Sequence, residues 1–232
     1  MNNAFRTAFG HVFQEYVGTL LRAGSGKATV IAEFPYGPKS LRRDSPDWMV
    51  LEGNRLVVIE VKQSAITLGT KMVGTIESVI SDLRKTLTVA ARQVLTFRDD
   101  LRAHIAGLEA LGDVTDVELL VVTHDQIPFA NSVFRRIIMS DGVPGASDVH
   151  FCSIDEFENL QRYAWGGSLF GHLRSKHADA FKQSHSKDFH DWLSELGPPW
   201  GGHPLLRDVF QRLSITWGVT LNPGSTSVRV NE

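Results

Sequence analysis

Two short apolar runs, residues 48–51 and 56–61, flank the turn-forming pair Gly53-Asn54. Runs of this length around such a pair specify a β-hairpin. The second run begins Leu56-Val57-Val58-Ile59 and closes on Glu60-Val61-Lys62. Side chains alternate along a strand, so Glu60 and Lys62 share one face while Ile59 and Val61 take the other. Asp47 enters the first strand at the end where Glu60 and Lys62 leave the second. Antiparallel pairing therefore gathers two carboxylates and one ammonium at one end of the hairpin. An ionised Glu ending an apolar strand is costly unless something compensates it. A divalent cation shared by Asp47 and Glu60 is such a compensation. The plain alternative is a same-face ion pair on an edge strand, with Asp47 a solvated turn residue.

The segments around the hairpin read as an alternation of helices and strands. Phe5, Phe9, Val12, Phe13, Tyr16, Val17 and Leu20 recur at helical spacing and predict an amphipathic helix over 4–22. Gly24-Ser25-Gly26 ends it. Val30–Phe34 reads as a strand, and a basic loop, Lys39-Ser40-Leu41-Arg42-Arg43, leads into Asp47. Over 74–110, Ile76, Ile80, Leu83, Leu87, Ala90, Val94, Phe97, Leu101, Ile105 and Leu108 follow steps of three and four, predicting one long helix or two. Residues 117–123 form a compact apolar run suited to a central parallel strand. A short helix over 129–140, a strand over 149–153 and a helix to about 163 follow. Ser153-Ile154-Asp155-Glu156 opens that last helix as a capping box.

Pro46-Asp47 together with Glu60-Val61-Lys62, set in this order of elements, resembles the PD-(D/E)XK nuclease superfamily. The resemblance covers residues 5–125 or thereabouts. It implies an α/β fold: a restriction-endonuclease-like αβββαβ core with a mixed central sheet flanked by helices. The expected organisation is a nuclease-like core over 1–164 and a helical C-terminal appendage over 165–232, with helices near 168–181, 188–196 and 203–216 and fraying from Asn222. The implied activity is metal-dependent hydrolysis of phosphodiester bonds in DNA by an endonuclease. Restriction, anti-phage defence, repair and mobile-element maintenance are roles that fit. The alternative is a non-cleaving module of the same fold that binds nucleic acid or protein within a larger assembly.

The resemblance also distributes roles. Asp47 and Glu60 would ligate Mg²⁺, with Mn²⁺ as a substitute, and the backbone carbonyl of Val61 would be a third ligand. One or two ions are equally compatible with it. Lys62 would orient or deprotonate the attacking water and offset charge on the phosphate. Glu15, on the first helix, is a further metal candidate or else a solvated flank residue. Gln93, bordering the apolar face of the long helix, would place substrate or water, or is a polar flank residue. Arg42, Arg43, Lys39 and Ser64 are the candidate phosphate contacts, with Arg84, Lys85 and Arg92 on the long helix. The expected partners are DNA and, for cutting both strands, a second copy or a larger multi-component system.

Composition narrows the classes. The formal net charge is −2, so any grip on phosphate must come from local basic patches and metal. No apolar run is long enough to span a bilayer, and Met-Asn-Asn-Ala-Phe-Arg lacks the apolar core of a signal peptide. Cys152 is the single cysteine, which excludes an intramolecular disulfide and suits a reducing cytoplasm. No glycine-rich phosphate loop is present. Five of the nine histidines, His172, His177, His185, His190 and His203, fall in the C-terminal third. Their spacing matches no zinc-binding pattern, and they are expected on polar faces.

Overall fold

The computed structural model describes residues 3–63, 66–165, 167–178, 186–197, 205, 219–220 and 229–230. Its frame is a mixed five-stranded sheet with helices on both faces. α1 (Asn3–Gly24) leads into β1 (Thr29–Ala32), then two short strands, β2 (Pro35–Tyr36) and β3 (Arg43–Asp44), which pair with each other. The hairpin follows as β4 (Trp48–Glu52) and β5 (Arg55–Lys62). Gly53 takes φ +67° in its turn, a left-handed conformation that glycine adopts without steric cost. Next come α2 (Leu68–Val73), α3 (Ile76–Arg102), β6 (Asp116–Thr123), α4 (Arg135–Ser140), β7 (Val149–Ser153), α5 (Ile154–Ala164), α6 (Leu169–Ala178) and α7 (Phe189–Glu195). Two dipeptide strands, β8 (Val219–Thr220) and β9 (Arg229–Val230), pair with each other, and β9 falls in the stretch from Asn222 on where fraying is expected.

The sheet order is β1-β4-β5-β6-β7. β1, β4 and β5 run antiparallel to their neighbours, while β5, β6 and β7 are mutually parallel. β5 and β6 lie inside the sheet and are apolar on both sides, as a strand covered on two faces must be. On one face Leu56 and Val58 of β5 pack with Leu83, Leu87, Val94 and Phe97 of α3. On the other, Val57 and Ile59 meet Phe13, Val17 and Leu20 of α1, Phe157 and Leu160 of α5, and Phe170, Leu173 and Trp192 of α6 and α7. The helices beyond Ala164 thus share one apolar cluster with the sheet. The segment expected as a helix over 203–216 lies, Leu205 apart, outside the described residues.

Two packing details fix this frame. An added Cβ at Gly18 would lie 2.1 Å from the Trp48 ring, so only glycine lets α1 come this close to β4. The Trp48 indole N–H donates to the Gln14 carbonyl at 2.9 Å. At the sheet border, the Asn131 side chain donates to the Phe151 carbonyl (2.7 Å) and accepts from its N–H (2.9 Å), standing in for a sixth strand beside β7. The capping box of Ser153 and Glu156 takes the Ser153 N–H at 2.8 Å.

Two expectations need correction. Phe5 is exposed because the first turn of α1 extends past the apolar face, and Val12 because it points about 100° round the helix from the buried Phe13. Ile76 and Ile80 are also exposed, and the long helix ends at Arg102, so Ile105 and Leu108 follow it in a turn. The helix expected over 129–140 is present, opening with a π-helical segment at Ala130–Phe134 that runs into α4. Among the described residues, no helix is long and apolar enough to cross a membrane.

Candidate functional site

β4 and β5 place Asp47 and Glu60 side by side. Trp48 pairs with Ile59, so the next rung outward sets Asp47 opposite Glu60. The Val61 N–H donates to Asp47 Oδ2 at 2.6 Å. Glu60 lies on the α3 side of the sheet and is only 4% exposed. Lys62 Nζ donates to Glu60 Oε1 at 2.7 Å and to Gln93 Oε1 at 2.8 Å. Asp47, Glu60, Val61, Lys62 and Gln93 therefore converge, as the spacing of the first four and the helical face of the fifth anticipate.

Burial, then the negative charge of Glu60, pushes the Asp47 carboxyl up to about 7. Burial also raises Glu60, opposed by the Lys62 ammonium. Glu33 adds negative charge to both. Its N–H donates to the Asp47 carbonyl at 3.0 Å, continuing the β1–β4 ladder by one rung. Three carboxylates, Glu33, Asp47 and Glu60, thus stand on successive strand ends beside one lysine. Such a surplus of negative charge, two of its members desolvated, is a setting that a cation relieves. The donors are all oxygen, which suits Mg²⁺ or Mn²⁺ rather than a softer ion. Glu33 is the member that sequence reasoning missed; the antiparallel register of β1 against β4 was the signal that identifies it.

A cleft of about 300 Å³ opens beside this cluster, lined by Tyr36, Arg43, Ser45, Glu60, Arg92 and Gln93 among others. A second hollow continues along α3 past Arg92 to Lys85 and Arg84. Arg43 sits at the rim with Nη1 2.6 Å from Asp100 Oδ2, which also accepts from the Tyr36 hydroxyl at 2.7 Å. Arg84 is paired with Asp141. Lys39 and Arg42 are exposed on the connection from β2 to β3, outside the cleft lining. Ser64 lies outside the described residues.

Glu15 does not join the cluster. Its side chain is 68% exposed and its Oε2 lies 3.4 Å from Arg22 Nη2. Phe13 and Val17 face the sheet, and two residues on from Phe13 a helical side chain has turned about 200°, to the far side. Gln63, the residue after Lys62, instead points to α1, where its amide oxygen would meet a Cβ placed at Gly10. No protein-family model matches the sequence, and neither does any curated protein.

Proposed function

We propose that this chain is a metal-dependent nuclease with a restriction-endonuclease-like fold that hydrolyses phosphodiester bonds in DNA. The observation that carries the reading is the convergence of Asp47, Glu60 and Lys62 at one end of a single hairpin, beside an arginine-lined cleft. The order α1, β1, β4, β5, α3, β6 agrees with the αβββαβ core that the resemblance implies. The site also lies at the carboxyl end of β5, within the parallel part of the sheet, where α/β folds commonly place their ligands.

Asp47 and Glu60 would hold the cation, with Glu33 near enough to add charge. A bound Mg²⁺ or Mn²⁺ supplies charge neutralisation at the phosphate and a more acidic water. Lys62, steered by Glu60 and Gln93, presents its ammonium to the same space, where it can donate to a phosphate oxygen or hold the attacking water. Arg43 and Arg92 line the cleft in which the phosphate backbone would run. DNA as the substrate, and restriction, defence, repair or mobile-element maintenance as the setting, follow from the family resemblance. A second copy, or a partner in a larger system, would supply the other strand's cut.

The test is incubation of the purified chain with supercoiled plasmid in Mg²⁺, Mn²⁺ or EDTA, beside Asp47→Ala and Lys62→Ala variants. Nicking that needs metal and is lost in both variants is the expected result. Nicking that persists in both places the chemistry elsewhere. A folded wild-type chain that retards DNA without cutting it, in any of the metals, supports the non-cleaving module instead.

A further inference from the structure

We infer that Glu118, His150 and His177 form a second metal site, for a transition-metal ion of the zinc type, at the other end of the same sheet. Glu118 stands on β6, His150 on β7 and His177 on α6. Lys62 pairs with Thr123, five residues along β6 from Glu118, so the two sites are separated by roughly 16 Å of strand.

The ligand atoms lie within 4.8 Å of one another. Glu118 Oε2 is 2.9 Å from His177 Nδ1 and 3.4 Å from His150 Nε2. His150 is 0% exposed and, among the described residues, its Nδ1 has no hydrogen-bond partner while its Nε2 only faces Glu118 Oε2 at 3.4 Å without good hydrogen-bond geometry. A buried polar group left so is costly and rare. His177 poses a second problem. Its Nε2 faces the Ser147 carbonyl at 3.3 Å and its Nδ1 faces the Glu118 carboxylate, yet a neutral imidazole has a single N–H to give. With the proton on Nε2, two lone pairs confront each other at Nδ1 and Oε2. One cation among Glu118 Oε2, His177 Nδ1 and His150 Nε2 would give His150 Nε2 a partner and relieve the clash at His177 Nδ1, leaving only His150 Nδ1 unpaired.

The surroundings match those of a ligated ion. The Ser147 carbonyl would fix the His177 tautomer, and Arg174 Nε, 2.9 Å from Glu118 Oε1, would leave the carboxylate one oxygen for metal. Arg174 neutralises Glu118, and Lys176 and Arg135 act electrostatically on His150. Two imidazole donors with a single carboxylate select Zn²⁺, Co²⁺ or Ni²⁺ over Mg²⁺ or Ca²⁺, which prefer oxygen ligands. The His177 side chain is 24% exposed, which gives an entry path and leaves one coordination position for water. The ion would fasten α6 to β6 and β7.

The experiment is calorimetric titration of the chelator-stripped full chain with Zn²⁺, run on wild type, Asp47→Ala, His177→Ala and the near-isosteric Glu118→Gln. Circular dichroism would check that each is folded. Wild type and Asp47→Ala are expected to bind one tight equivalent, weakened roughly 100-fold or more in His177→Ala and about tenfold or more in Glu118→Gln. Zinc-edge X-ray absorption of the loaded wild type should show two imidazoles. A folded wild type that binds no Zn²⁺ would overturn the inference. Binding that survives His177→Ala but is lost in Asp47→Ala, or an absorption spectrum without imidazole, would overturn it equally.

Discussion

The two ends of the sheet handle buried charge in opposite ways. At the carboxyl end of β5, Asp47 and Glu60 outnumber Lys62, and the local field is negative. At the amino end of β6, Glu118 alone faces Arg174, His150 and His177, with Lys176 and Arg135 near. The first end offers only oxygen donors, which suit a hard cation; the second offers two imidazole nitrogens beside one carboxylate, which suit a softer one. Removing a carboxylate therefore has opposite consequences at the two ends. One loses function and gains stability, whereas the other loses stability.

The largest expected effect is on catalysis. Lys62→Ala should lower plasmid cleavage about 10²–10⁴-fold with an unchanged circular dichroism spectrum, the span typical of a positioned proton donor or acceptor. Cleavage within a few-fold of wild type would remove Lys62 from the chemistry. Next, Glu118→Ala should cost about 1–3 kcal/mol in urea unfolding measured in EDTA, because it leaves the ring nitrogens of buried His150 and half-buried His177 without the carboxylate they face. A loss under 1 kcal/mol would erase the contrast between the two ends.

Asp47→Asn should act the other way in metal-free buffer. The Asp47 carboxyl has its ordinary value of 3.8 when unfolded and about 7 when folded, so the folded chain binds the extra proton between those limits. Stability then falls as pH rises from 4 through 7, and the loss is complete above 7. Asp47→Asn should thus raise stability at pH 8 by on the order of 2 kcal/mol and flatten the slope between pH 5 and 8. Equal gains at pH 5 and pH 8 would show that ionisation of Asp47 is not the cause. The smallest effect belongs to Glu15→Ala, which should leave cleavage unchanged and shift stability by less than about 0.5 kcal/mol. A tenfold loss of cleavage would bring α1 into the site after all.

The same contrast explains what could be read from the chain. Asp47, Glu60 and Lys62 lie within 16 residues, and strand alternation plus one turn suffices to bring them together. Gln93 was legible because the apolar steps of α3 orient its flank. Glu33 required the register of β1 against β4, which the hairpin does not reveal. Glu15 was misplaced by treating Phe5, Phe9 and Val12 as equal members of the buried arc, when Phe13, Val17, Leu20 and Leu21 define the face that packs. Glu118, His150 and His177 come from three elements spread over 59 residues, so no local spacing could announce them. The alternation of helices and strands was legible from periodicity, whereas helix ends were set by contacts that periodicity does not contain.

Asn131 has a consequence beyond β7 itself. Growth of a cross-strand polymer requires two sticky borders, one to receive and one to offer. With one border occupied by a side chain that mimics backbone, β1 is left as the one described rim of this sheet able to recruit a strand. Association through that rim alone would close at a twofold pair, and the Asn131 contact at Phe151 works against continued growth at β7.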